Sequence, residues 1–277
     1  ASVGTTTADA TTGDFSFDVT LTEGARLITA KATDIAGNVS LASTALTITV
    51  DATAPDAPSA LDLAAADDTG SSDSDKITKQ TSFLTISGTA GANARVDLFN
   101  GTTSVGTTTA DATTGAFSFD VTLAERVHSI TAKEIDLAGN VSLASAALAI
   151  IVDTSAAPPS GLDLDVADDT GSSDSDNITK QTTDLTIRGT AEAGSTVQLF
   201  DGTNSLGTAT AIGGIFTRDV TLGAGARSIT AIATDLAGNV SAASPALAIT
   251  VDTTPPAAPT ALDLAAIDDK GLSDSDN

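Results

Sequence analysis

Phe117-Ser118-Phe119-Asp120-Val121-Thr122-Leu123 alternates apolar and polar residues without a break. A period of two puts Phe117, Phe119, Val121 and Leu123 on one face of a strand and the polar residues on the other. Leu84-Thr85-Ile86 and Val96-Asp97-Leu98-Phe99 read the same way. No segment keeps a period of 3.6, so the chain is expected to be all-β with almost no helix.

Around this strand one unit reads as seven short strands. The first lies near Leu61-Asp62-Leu63, the second at Leu84-Thr85-Ile86 and the third at Val96-Asp97-Leu98-Phe99. Ser104-Val105-Gly106 returns as the fourth, after Asn100-Gly101. The next copy has Asp201-Gly202 there, and both pairs suit a type I′ turn, whose central residues need positive φ. The Phe117 strand is the fifth. The sixth carries Ile130 and Ala132, and the seventh points Leu148, Ile150 and Val152 inward. Leu46, Ile48 and Val50, and Leu247, Ile249 and Val251, repeat the seventh.

The unit recurs. Asp-(Ile/Leu)-Ala-Gly-Asn-Val-Ser begins at Asp34, Asp136 and Asp235, spacings of 102 and 99 residues. A period near one hundred fits a sandwich domain rather than a short solenoid repeat. After each seventh strand come an Asp and a Pro-containing link: Asp51 to Pro58, Asp153 to Pro159, Asp252 to Pro259. Pro stiffens a linker and cannot sit in a central strand, so these links are the boundaries. The expected domains are residues 1–52 (the later part of a repeat), 53–154, 155–253 and 254–277 (the start of another). The two end pieces lack opposing strands and are not expected to fold by themselves; residues 1–50 should exchange amide protons faster than residues 60–250.

One segment is polar throughout. Ala167-Asp168-Asp169-Thr170-Gly171-Ser172-Ser173-Asp174-Ser175-Asp176-Asn177 has counterparts with Asp67, Asp68, Asp73 and Asp75, and with Asp268, Asp269, Asp274 and Asp276. Four clustered carboxylates repel one another, and a hard cation with oxygen ligands relieves that; calcium is the expected ion. The spacing is not that of an EF-hand, because the Gly precedes the Asp-x-Asp pair and no Glu closes the loop.

Composition narrows the function. Formal net charge is −24, and all but four of the 36 acidic residues are Asp. Such a field repels nucleic acid and anionic membranes. Without Cys, stability must come from the core, from repetition or from metal rather than from disulfides. No apolar run reaches transmembrane length. Ala1 begins in mid-pattern, so targeting signals are expected outside this stretch. One His and no Cys leave almost no material for a nucleophile–base pair, and no phosphate-binding Gly loop occurs; the chain is expected not to be an enzyme.

Leu162-Asp163-Leu164, the acidic stretch to Ile178-Thr179, Leu185-Thr186-Ile187-x-Gly189-Thr190-Ala191, Phe200-Asp201-Gly202-Thr203, Asp235-Leu236-Ala237-Gly238-Asn239-Val240-Ser241 and Val251-Asp252-Thr253-Thr254-x-Pro256 together resemble the tandem bacterial Ig-like repeats of giant secreted surface adhesins, the biofilm-associated and type I-secreted class. The resemblance covers essentially the whole chain. It implies tandem Ig-like β-sandwiches in an elongated rod, calcium at acidic loops or junctions, an extracellular bacterial cell-surface location, and neighbouring repeats of the same long chain as partners. The implied function is a structural extender supporting cell adhesion or biofilm formation. Alternatives are a carbohydrate- or ice-binding module and the accessory spacer domains of a secreted enzyme.

In a seven-stranded sandwich the acidic loop should sit at the C-terminal pole. Asp168, Asp169, Asp174 and Asp176 are then expected near their own Asp252. Asp153 is expected to approach the next domain's Asp235, Asn239 and Glu192, which would make the junction a second set of calcium ligands. Asp136 and Asp235 are candidates too, although Asp followed by Gly-Asn is also ordinary turn chemistry. Asn38, Asn140, Asn177 and Asn239 each begin an Asn-x-Ser/Thr match, a weak glycosylation signal. Thr5-Thr6-Thr7 and Thr107-Thr108-Thr109 read as β-propensity on a solvent face. His128 stands where other copies have Arg26 and Arg227 and is expected to be exposed. Arg218 takes the place of Phe17 and Phe119, Glu134 that of Ala32 and Ala233, and the loop before Phe216 is two residues shorter than the one before Phe117.

Overall fold

The computed structural model describes residues 2–260 and Leu262. The chain divides into two compact units, Ala1–Thr154 and Ser155–Asn277. Every regular element among the described residues is a strand.

Unit one opens with an antiparallel pair, β1 (Gly24–Ile28) and β2 (Leu46–Val50). The first complete repeat follows with β3 (Ser59–Leu63), β4 (Ile77–Thr78), β5 (Leu84–Thr89), β6 (Arg95–Asn100), β7 (Thr103–Thr109), β8 (Ala116–Val121), β9 (Arg126–Ile135) and β10 (Leu148–Val152). One sheet has the order β3-β5-β8 and the other β4-β10-β9-β6-β7. Unit two repeats the plan with β11 (Ser160–Leu164), β12 (Ile178–Thr179), β13 (Leu185–Thr190), β14 (Thr196–Asp201), β15 (Asn204–Thr210), β16 (Ile215–Val220), β17 (Gly225–Thr234) and β18 (Leu247–Val251), in the orders β11-β13-β16 and β12-β18-β17-β14-β15.

Each complete repeat is thus a β-sandwich with its core between the sheets. Leu63, Leu84, Ile86, Phe117 and Val121 of one sheet meet Val96, Leu98, Ile130, Ala132, Ile150 and Val152 of the other. The second repeat uses Leu164, Leu185, Ile187, Phe216 and Val220 against Val197, Leu199, Ile229, Ala231, Ile249 and Val251. Burying one such side chain stabilises by about 1.5–3 kcal/mol. The alternation read from Phe117 holds: Phe117, Val121 and Leu123 are buried and Phe119 packs half-buried against them.

The strand count differs from the expectation by one. The eighth strand, β4 or β12, is two residues long, too short to show a period. It pairs parallel to the last strand of its repeat, Ile77 with Ile151 and Thr78 with Val152, Ile178 with Thr250 and Thr179 with Val251. The hairpin turn is also displaced. Asn100 pairs with Thr103 and Asp201 with Asn204, so the two-residue loop starts at Gly101 or Gly202, each with φ 61. Gly alone at positive φ in the first central position marks a type II′ turn, not the expected type I′.

Candidate functional site: an acidic crossover in each repeat

The acidic stretch is the crossover that carries the chain from one sheet to the other. It begins where β3 ends, with Ala64 N–H donating to Thr85 O at 3.0 Å. It ends at β4, where Ile151 N–H donates to Lys76 O and Asp153 N–H to Thr78 O, both at 2.9 Å. In the second repeat Thr250 N–H reaches Asn177 O at 2.9 Å and Asp252 N–H reaches Thr179 O at 2.8 Å. The strand after the crossover therefore lies beside Asp252. The bonded crossover carboxylates hold mainly the backbone N–H groups around them, with the Gln80 amide and the Lys76 ammonium as side-chain partners in the first repeat.

Two Asp of each crossover act as clamps. The Asp67 carboxylate accepts Thr85 N–H at 2.8 Å through Oδ2 and the Gln80 amide at 3.1 Å through Oδ1. Asp168 does the same to Thr186 N–H at 2.8 Å. Asp68 is buried and its Oδ2 accepts Lys76 N–H at 3.0 Å. Asp169, equally buried, accepts Asn177 N–H at 2.9 Å and Ile178 N–H at 3.2 Å. Each clamp ties a loop N–H or the start of a strand to the crossover, replacing bonds that a strand would have made. Thr78 Oγ1 adds a bond to Asp67 O at 2.5 Å.

The other pair stands outside. Asp73, Asp75, Asp174 and Asp176 are exposed, and only Asp75 and Asp176 are tied, each accepting the N–H two residues on (Ile77 at 3.0 Å, Ile178 at 3.1 Å). Asp153 is half-buried at the end of β10 and Asp252 is exposed after β18. Asp268, Asp269, Asp274 and Asp276, with most of residues 254–277, lie outside the described residues.

The resident charge differs between the copies. Lys76 Nζ lies 2.8 Å from Asp62 Oδ1 and 3.7 Å from Asp68 Oδ2. The hydrogen bond to Asp62 holds the ammonium pKa above its ordinary value. At the corresponding place the second repeat has Asn177, whose Oδ1 accepts Leu164 N–H at 3.2 Å. Its cation is instead Arg188, on β13, at 2.9 Å from Asp163 and 3.7 Å from Asp165.

Whether these residues suit a hard cation is answered by the donors. They are all oxygens, and Asp68 Oδ1 is buried without a hydrogen-bond partner. A buried carboxylate oxygen left so is costly, and a cation satisfies it. The site is not a closed cage: among the described residues, no three carboxylates of a crossover bring an oxygen each within 4.8 Å of one another.

Asp136 and Asp235 belong to turns. Asp136 accepts Ala138 N–H at 2.8 Å, Asn140 N–H at 2.9 Å and the Asn140 amide at 2.9 Å. The bond from the Asn140 side chain, first among these, holds its pKa below the usual carboxylate value. Asp235 is buried and bonded to Asn239 in the same way, at 2.8 Å twice. Asn140 Nδ2 also donates to Asp51 O at 3.1 Å, joining the turn to the end of the preceding partial repeat within unit one.

His128 is not exposed as expected but buried. Its Nδ1 lies 2.8 Å from Asn100 Nδ2, and its Nε2 lies 2.7 Å from Ala124 O. Donation from Nε2 to the carbonyl leaves Nδ1 to accept from the amide, so both ring nitrogens are engaged. The sequence clue was position 100: it changes from Asn to Asp201 where His changes to Arg227, and Arg227 pairs with Asp201 at 3.3 Å. Glu134 is also buried, its Oε2 accepting Gly91 N–H at 2.9 Å. Arg218 is exposed and lies over Gly207, as the Phe119 ring lies over Gly106.

The Bacterial Ig-like domain model matches residues 54–154 and 156–253. The chain belongs to this family. Among characterised proteins, Exoglucanase B of Cellulomonas fimi is 32% identical over 253 residues, which is 88% of this chain and 22% of the exoglucanase. The chain therefore spans about a fifth of that relative. Among solved structures, the fibronectin(III)-like modules of Clostridium thermocellum CbhA share 16% identity over 63% of this chain and 87% of theirs, with a TM-score of 0.33. The human OSCAR ligand-binding domain shares 14% over 71% of this chain and all of its own, with a TM-score of 0.39. In the Ig-like repeats the crossover joins the two sheets at one flank, and the Asp136 and Asp235 turns follow β9 and β17.

Proposed function

We propose that these Ig-like repeats are structural extenders of a large extracellular bacterial surface protein, of the adhesin or biofilm kind, with calcium bound at acidic crossovers and at domain junctions. The observation that carries the reading is the acidic crossover with a buried, unpartnered Asp68 oxygen; the second repeat has the same crossover, with both Asp169 oxygens taken by N–H groups. Calcium would use Asp67, Asp68, Asp73 and Asp75, or Asp168, Asp169, Asp174 and Asp176, and at junctions Asp153, Asp235 and their counterparts Asp51 and Asp136. Bound ions neutralise clustered carboxylates, and the links between repeats stiffen into a rod. The engagement of both His128 nitrogens supports a non-catalytic module. Neighbouring repeats are the partners.

Calcorimetric titration of the chain with calcium should show binding, with Kd on the order of 10⁻⁴–10⁻³ M as in extracellular modules. Small-angle scattering should show the maximum dimension shrinking on chelation. A flat titration at millimolar calcium overturns the metal reading.

The identity with an exoglucanase favours a second reading, an accessory spacer of a polysaccharide-cleaving enzyme. A glycosidase domain on the same polypeptide would decide for it.

A further inference from the structure

Asn100-Gly101 is the single Asn-Gly pair in the sequence. The pair is chemically labile. With no side chain on the second residue, its nitrogen can reach the Asn side-chain carbon and close a succinimide ring. The other internal Asn residues are followed by Val, Ala, Ile or Ser, whose side chains hinder that approach. Gly101 is also exposed, at the tip of the β6–β7 hairpin, so water has access.

In the folded chain both reacting groups are held. Asn100 Nδ2 lies 2.8 Å from His128 Nδ1 and, with the ring proton on Nε2, donates to it. That bond ties the side-chain amide to β9. Gly101 N–H donates to Ser129 O at 2.9 Å, so the nitrogen that must attack is already engaged. His128 and Ser129 are neighbours on β9, and the His128 ring is buried. Freeing both groups requires the hairpin tip to part from β9.

The second repeat shows where the reaction leads. It carries Asp201-Gly202 at this turn, the sequence that loss of ammonia leaves, and Arg227 in place of His128 to pair with the carboxylate. In the first repeat a new carboxylate would face a ring nitrogen that carries no proton.

We propose that Asn100-Gly101 is a spontaneous deamidation site latched by His128 and Ser129, through which the first complete repeat alters chemically when its β6–β7 hairpin lifts from β9. The Gly101 amide gives its proton to solvent base, and its nitrogen bonds to Asn100 Cγ. The Cγ–Nδ2 bond breaks and ammonia leaves. Water then opens the succinimide at either carbonyl, giving Asp or isoaspartate. Isoaspartate puts an extra carbon into the main chain and disrupts the pairing of residue 100 with Thr103 and Ile130. Two hydrogen bonds must open first, so the latch should slow the reaction by about tenfold or more.

The test is peptide mass spectrometry of the full chain after weeks at mildly alkaline pH, with isoaspartate read by electron-transfer fragmentation. Conversion at Asn100 should run ahead of every other Asn, and at least about tenfold faster in guanidinium-unfolded chain than in native chain. His128→Ala should release the amide and raise the native rate severalfold. Ile86→Val loosens the same core without touching the pair and should leave the rate nearly as it is. No conversion at Asn100 in the unfolded chain overturns the site. Equal native and unfolded rates, no response to His128→Ala, or an equal rise with Ile86→Val overturns the latch.

Discussion

In the first complete repeat His128 leans on Asn100; in the second, Arg227 pairs with Asp201. The first sets Lys76 against Asp62, and the second sets Arg188 against Asp163. The first covers Gly106 with the Phe119 ring, and the second covers Gly207 with the Arg218 side chain. Strand order and pairing register are nonetheless the same. The apolar core fixes the backbone, and a buried polar position can then change when the partner in reach changes with it, as His128 and Asn100 give way together to Arg227 and Asp201. A charge placed without its partner would be left half-solvated or buried.

The largest effect expected tests the shared part. Ile86 and Ile187 are both fully buried, and Ile→Ala at either should cost its own repeat about 2–5 kcal/mol. Urea unfolding followed by circular dichroism and by hydrogen exchange in each repeat reads this; clearly unequal losses would break the equivalence of the cores. Next come the clamps. Asp67→Ala and Asp168→Ala each leave a strand N–H, that of Thr85 or Thr186, without its acceptor, at about 1–3 kcal/mol. The first should cost more, since Gln80 also loses one of its two acceptors and keeps only Ser82 O. Faster exchange at Thr85 and Thr186 is the check.

The paired changes come third. His128→Arg and Asn100→Asp should each destabilise alone and compensate when combined, with a coupling of about 0.5–3 kcal/mol. Additive losses would show that the pairs do not vary as units. The smallest effect is in acid. Asp111 is held below the ordinary carboxylate value of 3.8, chiefly by the backbone N–H of Thr114, and Asp136 chiefly by Asn140. A depressed folded-state pKa adds stability above the unfolded value, lost as pH falls through the folded one. The second repeat has Ile212-Gly213-Gly214 in place of the Asp111 turn. Below about pH 4 the first repeat should therefore lose stability more steeply, and Asp111→Ala should flatten its profile. Parallel acid profiles would remove this distinction.

Much of the sandwich was legible because its core strands alternate. Phe117, Val121, Ile130 and Ile150 announce their inward faces locally. The two-residue strands β4 and β12 have no period to announce, and only pairing with β10 and β18, far along the chain, defines them. The turn at Gly101 was shifted by one residue because Asn100 belongs to the ladder through Thr103. At the candidate site the clustering of Asp was plain, but its division was not. Asp67 and Asp68 look like Asp73 and Asp75 in sequence; what separates them is that Thr85 and Lys76 N–H groups lie within reach of the first pair. His128 was misread for the same reason, since its partner Asn100 is on another strand.

The two-residue strands have a mechanical consequence. In each repeat the chain enters through one sheet and leaves along β10 or β18, whose last turns of ladder are held by the short parallel partner. A pull on both ends of the first repeat drags β4 and β10 in opposite directions, so the bonds Ile151 N–H to Lys76 O and Asp153 N–H to Thr78 O are strained together, in shear. Bonds sheared together must break together, which raises the force a fold withstands without adding to its equilibrium stability; forced rupture follows the unfolding rate. The crossover Asp residues, by anchoring the start of β4, add to the tension that the first repeat withstands before it gives way.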